Sequence, residues 1–137
     1  MKSYTDIDQS RKLAEILPLE NADMVLLHEE PYETSDSKFD GLHQALCVPF
    51  SKYDKSWRQK YRNISYFPCW SLAALIDVLP VEVEIHRQTD EHKIYYYYVE
   101  SYMKRMGKEI YLSTERHESL VDACYEMILK LQYMKGE

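Results

Sequence analysis

Residues 81–115 read VEVEIHRQTDEHKIYYYYVESYMKRMGKEIYLSTE. Within them, Val81–Ile85 alternates apolar and acidic residues, which is typical of a β-strand with one face in water. Lys93–Met103 contains four consecutive tyrosines and strongly favours a second strand. Lys104–Lys108 predicts a turn, after which Glu109–Glu115 returns as a third strand. The stretch therefore predicts an antiparallel meander of three strands.

In the sequence, one helix is predicted before this meander and one after it. Pro68 can begin a helix that is apolar on nearly all sides up to Leu79, and Pro80 ends it. We expect such a helix to be buried. Ser119 can cap a last helix, and Asp122 can close its capping box. One face of that helix is apolar and carries Leu120, Cys124, Met127, Ile128, Leu131 and Met134.

The N-terminal half is harder to interpret. A first helix is predicted from Thr5 or Asp6 to Leu17, because both side chains can cap its first turn and a proline follows it. Two short strands are predicted, over Met24–His28 and His43–Phe50. The polar residues 29–41 between them predict a long loop. Residues 52–63 fit a short helix or an ordered loop equally well.

These elements predict a single α+β domain over residues 1–137. Its antiparallel sheet has four to five strands, with about three helices packed mainly on one face. The chain is expected to divide into a helix–strand unit over 5–50, a basic aromatic connector over 51–67, and a unit over 68–137. That last unit comprises a helix, the meander and the C-terminal helix.

Composition limits the class of protein. The chain has 137 residues, of which 45% are hydrophobic and 29% are charged, and this is ordinary for a globular domain. No apolar stretch is long enough to span a bilayer, and no secretory signal is visible at the N-terminus. Three widely spaced cysteines favour reduced thiols, so we expect a cytoplasmic protein. No cofactor is expected. The net charge of −6 argues against whole-protein attraction to nucleic acid.

Cys69 is the strongest candidate for chemistry. A cysteine at a helix N-terminus is favoured as thiolate, and Cys69-Trp70-Ser71 resembles the helix start of papain-like proteases. His86 or His117 would then take the thiol proton. However, Asn63 stands where the papain pattern has glutamine. Buried cysteines are common in protein cores. We therefore favour a structural Cys69 and keep a papain-like hydrolase as the alternative.

Two other groups of residues are candidate binding sites. His86 and His92 flank a turn that also contains Asp90 and Glu91, and zinc would suit them, but we expect no metal because turn residues are usually just solvated. The segment 52–62 has cations interleaved with aromatic residues, which suits single-stranded nucleic acid. Nucleic-acid binding stays an alternative that rests on Lys52, Lys55, Arg58, Lys60 and Arg62.

The four consecutive tyrosines predict a contact with another protein. Successive strand residues point to opposite faces, so Tyr95 and Tyr97 share one face while Tyr96 and Tyr98 share the other. A sheet with one solvated face does not usually carry aromatic residues on both. Tyrosine tolerates a half-wet interface because its hydroxyl stays hydrated. We therefore expect a protein partner or self-association at these four residues.

Three segments, Leu13–Met24, Pro68–Leu75 and Val121–Ile128, resemble a family of small uncharacterised proteins from gut bacteria, their phages and mobile elements. The resemblance implies a phage or mobile-element context and no particular activity. Together with the tyrosines, it leads us to expect a non-enzymatic protein-interaction module. Self-association into a homo-oligomer is one form that this interaction can take.

Overall fold

A computed structural model describes residues 2–29, 45–49 and 64–135. The chain divides into two compact units, the first formed by Asp6–Trp70 and the second by Met1–Thr5 together with Ser71–Glu137. The first unit contains helix α1 (Ile7–Ile16), a short 3-10 helix (Leu19–Asn21), and strands β1 (Met24–Glu29), β2 (Ala45–Pro49) and β3 (Ile64–Cys69). The second unit contains helix α2 (Leu72–Val78), strands β4 (Val83–Thr89), β5 (Tyr95–Arg105) and β6 (Lys108–Ser113), and helix α3 (Leu120–Lys135).

Helix α1 begins with a capping box. The Asp6 side chain accepts from the backbone N–H of Gln9 at 2.8 Å, and the Gln9 side chain accepts from the backbone N–H of Asp6 at 3.2 Å. These two bonds use donors that a helix start otherwise leaves unpaired. The helix ends before Pro18, and Leu13 is its fully buried core residue. The predicted first helix is therefore confirmed.

Strands β1, β2 and β3 form the first sheet, in the order β2-β1-β3 with antiparallel pairing. Leu26 in the central strand pairs with Phe67 of β3 and has no exposed surface. Helix α1 contacts β3, and the Arg11 guanidinium lies 4.8 Å from the centre of the Phe67 ring. The strands predicted over Met24–His28 and His43–Phe50 are thus present with slightly different bounds.

Strand β3 corrects two predictions. Residues 64–67 belong to a strand, not to a connector, and Pro68 pairs with Val25 within that strand instead of beginning a helix. Proline is tolerated there because β3 lies at the edge of its sheet. Helix α2 begins at Leu72, and its cap is Ser71, whose Oγ accepts from the N–H of Ala74 at 3.2 Å.

Helix α2 is also less buried than expected. Ala74 and Leu75 are buried, but Ile76 is 40% exposed. A helix of seven residues has only two turns, so its inner side is filled by a few side chains and the rest meet solvent. The expectation of a buried helix was therefore wrong, because only Ala74 and Leu75 are buried.

The predicted meander is confirmed as the second sheet, in the order β4-β5-β6 with antiparallel pairing. Ile85 pairs with Val99, and Tyr102 pairs with Tyr111. Val99 and its neighbour on the same face, Ser101, have no exposed surface, whereas Tyr102 is half-exposed. Because helix α3 contacts β5 and carries five buried residues, we place α3 on the face of Val99. The opposite face is the open face of this sheet.

The α+β class is confirmed, but the sheet count was wrong. Within the described residues there are two antiparallel sheets of three strands each, not one sheet of four to five strands. The reason is that β3 pairs with β1, so the N-terminal strands complete a sheet of their own. In this part of the chain no helix combines the length and the apolar character that crossing a membrane requires.

The N-terminal residues belong to the second unit. Tyr4 forms an isolated antiparallel bridge with Ser71, and the N–H of Leu72 donates to the carbonyl of Ser3 at 3.0 Å. Lys2 forms an ion pair with Asp122 at 2.7 Å, near the start of α3. The Ser119 hydroxyl accepts from the N–H of Asp122 at 3.3 Å, as expected for the cap of that helix.

Candidate interaction surface

The open face of the second sheet carries a cluster of aromatic and acidic side chains. The register places His86 opposite Tyr98 and Tyr102 opposite Tyr111, and Glu100 lies on β5 between Tyr98 and Tyr102. Residues two apart on a strand share a face, as do directly opposed residues on paired strands. These five residues therefore lie together, and we call them the tyrosine–carboxylate face.

Glu100 is the centre of this face. Its Oε2 accepts hydrogen bonds from the hydroxyl groups of Tyr102 and Tyr111, each at 2.8 Å. The two tyrosine rings lie 5.0 Å apart between centroids, with planes tilted by 43°. The Glu100 side chain is only 14% exposed, because the rings cover it. One carboxylate thus fixes the positions of two aromatic side chains from neighbouring strands.

These hydrogen bonds change the acidity of their partners. Donation from Tyr102 and then from Tyr111 lowers the pKa of Glu100, because both bonds favour the charged carboxylate. The same bond raises the pKa of Tyr102 to about 12, with burial as the next cause. Tyr102 therefore stays a neutral hydroxyl near pH 7. A phenol held in this state suits hydrogen bonding and stacking, and it is opposite to what a tyrosine base or nucleophile requires.

His86 extends the cluster toward β4. Its ring stacks on Tyr98, with centroids 4.8 Å apart and planes 15° from parallel. Its Nε2 lies 3.2 Å from Oε1 of Glu100 and 3.4 Å from Oε2 of Glu84. Neither contact has the alignment of a hydrogen bond, although the nitrogen is buried.

The aromatic part of the face is open to solvent. Tyr102 and Tyr111 are each 54% exposed. Tyrosine is enriched at protein interfaces because its ring contributes apolar area while its hydroxyl keeps a polar partner. Here the hydroxyl groups already have that partner in Glu100, so the exposed ring surfaces can be covered without leaving a polar group unpaired.

The four predicted interaction tyrosines divide between the two faces, as strand geometry requires. Tyr96 and Tyr98 lie on the open face, and the Tyr96 hydroxyl donates to Asp90 at 3.3 Å. Tyr95 and Tyr97 lie on the face of Val99. Tyr95 is half-exposed beneath the guanidinium of a β4 arginine, and the backbone of Tyr97 pairs with His117.

Sequence reasoning missed the centre of the cluster. Glu100 and Tyr102 follow Tyr98 at intervals of two residues, so strand alternation alone would have placed all three on one face. Tyr111 could not be added without knowing that it pairs with Tyr102, which depends on the turn at Met106 and Gly107. Both turn residues have positive φ, 54° and 79°. This is the conformation of the tight two-residue hairpin turn.

The residues of the hydrolase hypothesis occupy different environments. Cys69 has no exposed surface and ends strand β3, so the helix-start argument for a thiolate does not apply to it. His86 belongs to the tyrosine–carboxylate face. His117 Nε2 lies 2.8 Å from Oε1 of Glu126 on helix α3, and Glu126 also accepts from the backbone N–H of Glu115. His117 therefore fixes the segment after β6 to the helix.

The nucleic-acid and zinc hypotheses concern two other groups of residues. The basic residues of the nucleic-acid hypothesis (Lys52, Lys55, Arg58, Lys60 and Arg62) lie outside the described residues. Of the turn considered for zinc, Asp90 Oδ1 accepts from the backbone N–H groups of His92 and Ile94, each at 2.9 Å. Among the residues that the structure describes, no group of three or more histidine, cysteine or acidic side chains is arranged to hold a metal ion.

Comparison with known proteins adds no functional information. No family model, curated protein or solved structure matches this chain.

Proposed function

We propose that this protein is a non-enzymatic protein-interaction module and that the tyrosine–carboxylate face binds its protein partner. The observation that carries the proposal is the exposure of Tyr102 and Tyr111, which are more than half exposed on a sheet face opposite the one that packs on α3. Large aromatic side chains are costly to leave in water and are a recurrent feature of binding surfaces.

The fixed arrangement of the side chains in the cluster also favours binding. Two hydrogen bonds to Glu100 hold the rings of Tyr102 and Tyr111 in one arrangement before any partner arrives. A side chain that is fixed in advance loses less conformational entropy on binding, so more of the contact energy appears as affinity. Rigid tyrosines of this kind are typical binding anchors.

The protonation states in the face do not favour catalysis. A general base or nucleophile needs a pKa tuned toward the working pH, whereas the pKa of Tyr102 is raised to about 12 and that of Glu100 is lowered. Both groups are therefore held in their ordinary charge states. This is the reason for preferring an interaction module to an enzyme.

The cellular context is part of the proposal. The resemblance of three segments to small proteins of gut bacteria, phages and mobile elements supports an origin in such an element. Cys69 and Cys124 are buried and form no disulfide, which fits the reducing environment of a cytoplasm. We propose a cytoplasmic protein from a phage or mobile element, with a protein partner.

Position-specific photo-crosslinking tests the binding face. A photoreactive phenylalanine analogue replaces Tyr102 in one variant and Tyr133 in a matched control. Tyr133 is a 74% exposed tyrosine on α3, away from the open face. Both variants are produced in a bacterial host that carries the native element, and crosslinked proteins are separated by mass.

We expect one discrete protein adduct from position 102 and none from position 133. The adduct should weaken strongly when Tyr111→Ser is added, because the second anchor is lost. Equal adduct patterns from the two positions, or no adduct from position 102, would overturn the assignment of this face.

A further inference from the structure

Strand β4 lies at one edge of the second sheet, and none of the described strands pairs with its outer side. Its outward main-chain groups can be identified from the ladder. Tyr102 N–H donates to the Glu82 carbonyl at 3.4 Å, and Asp90 N–H donates to the Ile94 carbonyl at 3.1 Å. Both pairs fit the register of β4 with β5. Hydrogen-bonded pairs alternate along an antiparallel ladder, so even-numbered residues of β4 bond to β5 and odd-numbered residues face outward.

The outward groups form a short template for another strand. They include the N–H and carbonyl of Ile85, the N–H of Arg87 and the carbonyl of Val83. The N–H of Val83 donates to the carbonyl of Pro80 at 3.2 Å and is not part of the template. Five of the seven residues of β4 are exposed, among them Ile85 at 40%. The strand contains neither proline nor lysine, the residues that commonly protect an edge from pairing.

The sequence of β4 is complementary to itself in one antiparallel register. Centring the pair on Ile85 sets Glu84 opposite the partner's His86 and brings the two exposed isoleucines together. Centring it on Glu84 or on His86 sets that residue against its own copy. Centring it on Arg87 sets Glu84 against the acidic Asp90 of the partner copy. Directly opposed carboxylates destabilise a strand pair, and of these four registers only the one centred on Ile85 sets Glu84 opposite an imidazole, which can donate a hydrogen bond to it.

We propose that the β4 edge pairs with the β4 edge of a second copy of this chain, in the antiparallel register centred on Ile85. Four main-chain hydrogen bonds then join the copies. The two Ile85 residues exchange a pair of bonds, and the Arg87 N–H of each copy donates to the Val83 carbonyl of the other. None of these bonds needs the N–H of Val83. The two three-stranded sheets become one sheet of six strands.

This pairing adds self-association to the proposed function. The role of the open face in the dimer rests on that proposed function. The symmetry axis runs perpendicular to the sheet, because antiparallel edge pairing of identical strands requires that orientation. Both tyrosine–carboxylate faces therefore lie on the same side of the joined sheet. Neighbouring strands are about 4.8 Å apart, so the two β5 strands lie about 14 Å apart across the edge. The dimer presents two copies of the binding face side by side.

Disulfide trapping tests the register. Ile85→Cys places two thiols directly opposite each other, at the Cα separation that a disulfide accepts. The matched control is Gln88→Cys, which is also exposed but would lie about 20 Å from its own copy in this register. Both substitutions are made in a Cys47→Ser background, and Cys69 and Cys124 are buried. We expect about tenfold more disulfide-linked dimer from position 85 than from position 88 after mild oxidation.

A second variant tests the main-chain bonds. Arg87→Pro removes an outward N–H and leaves the ladder with β5 intact, whereas Arg87→Ala keeps that N–H. Analytical ultracentrifugation should show a dimer for the parent chain and for Arg87→Ala, and a dissociation constant raised about tenfold or more for Arg87→Pro. Circular dichroism checks that the proline variant keeps its fold.

A monomeric parent chain, or equal trapping at positions 85 and 88, would overturn the edge pairing. Neither result would affect crosslinking from Tyr102, which reports on the open face alone. Conversely, a trapped dimer without any adduct from Tyr102 would keep the edge pairing and remove the binding face.

Discussion

We expect Thr114→Val to destabilise the second unit more than Thr114→Ser does. The N–H of Val99 in the middle of β5 donates to the Thr114 hydroxyl at 2.9 Å, and the N–H of Thr114 donates back to the Val99 carbonyl at 2.9 Å. Strand β6 has ended at Ser113. The hydroxyl therefore accepts the bond that a main-chain carbonyl would accept in a continuing ladder.

The size of the effect follows from burial. Val99 has no exposed surface and Thr114 is 7% exposed, so water cannot replace the lost hydroxyl. Valine has the shape of threonine but leaves the Val99 N–H buried without an acceptor, which costs about 1–3 kcal/mol. That is about 5- to 160-fold in the unfolding equilibrium constant. Serine keeps the hydroxyl and loses one methyl group, which costs about 0.8 kcal/mol.

Urea unfolding followed by far-UV circular dichroism measures this difference. The valine variant should show a lower midpoint with an unchanged slope in circular dichroism. Hydrogen exchange at the Val99 amide should also accelerate. A valine variant at least as stable as the serine variant would refute the reasoning, because packing would then outweigh the hydrogen bond.

Two further predictions concern acidity and thiol reactivity. Tyrosine hydrogen bonds lower the pKa of Glu100 from its ordinary value of 4.5, so the carboxylate stabilises the fold above that pH and the contribution is lost as the pH falls through the folded-state pKa. Glu100→Gln should flatten this acid branch in a stability–pH profile, and an unchanged profile would contradict it. Burial raises the pKa of Cys124 to about 11, which leaves about one part in a thousand as thiolate at pH 8. Iodoacetamide should therefore label Cys69 and Cys124 only on unfolding, whereas a hydrolase would show rapid native labelling of Cys69.

Local signals in the sequence predicted the elements that they control. The capping side chain of Asp6 and the proline after Leu17 define the first helix, and both effects act within a few residues. The tyrosine run and the Gly107 turn likewise predict the meander, because hairpin pairing is local. In each of these cases the residues that determine the element lie inside it or within two residues of its ends.

The rest depended on contacts between distant residues. Pro68 fits both a helix start and an edge strand, and only its pairing with Val25 decides between them. That pairing also splits the expected single sheet into two. The centre of the candidate site depends on the exact register of the β5–β6 hairpin, which brings Tyr111 to Glu100 and which the sequence pattern alone does not give. Periodicity along the chain carries no information about such pairings.

The bridge between Tyr4 and Ser71 has a consequence for the order of events during protein synthesis. Residues 2–5 leave the ribosome well before their partners at residues 71 and 72 and at Asp122 are made. The nascent chain must therefore carry this segment without these partners while the whole of Asp6–Trp70 is translated. The second unit cannot close until Asp122 has been made, whereas the first unit has all of its own residues well before that moment.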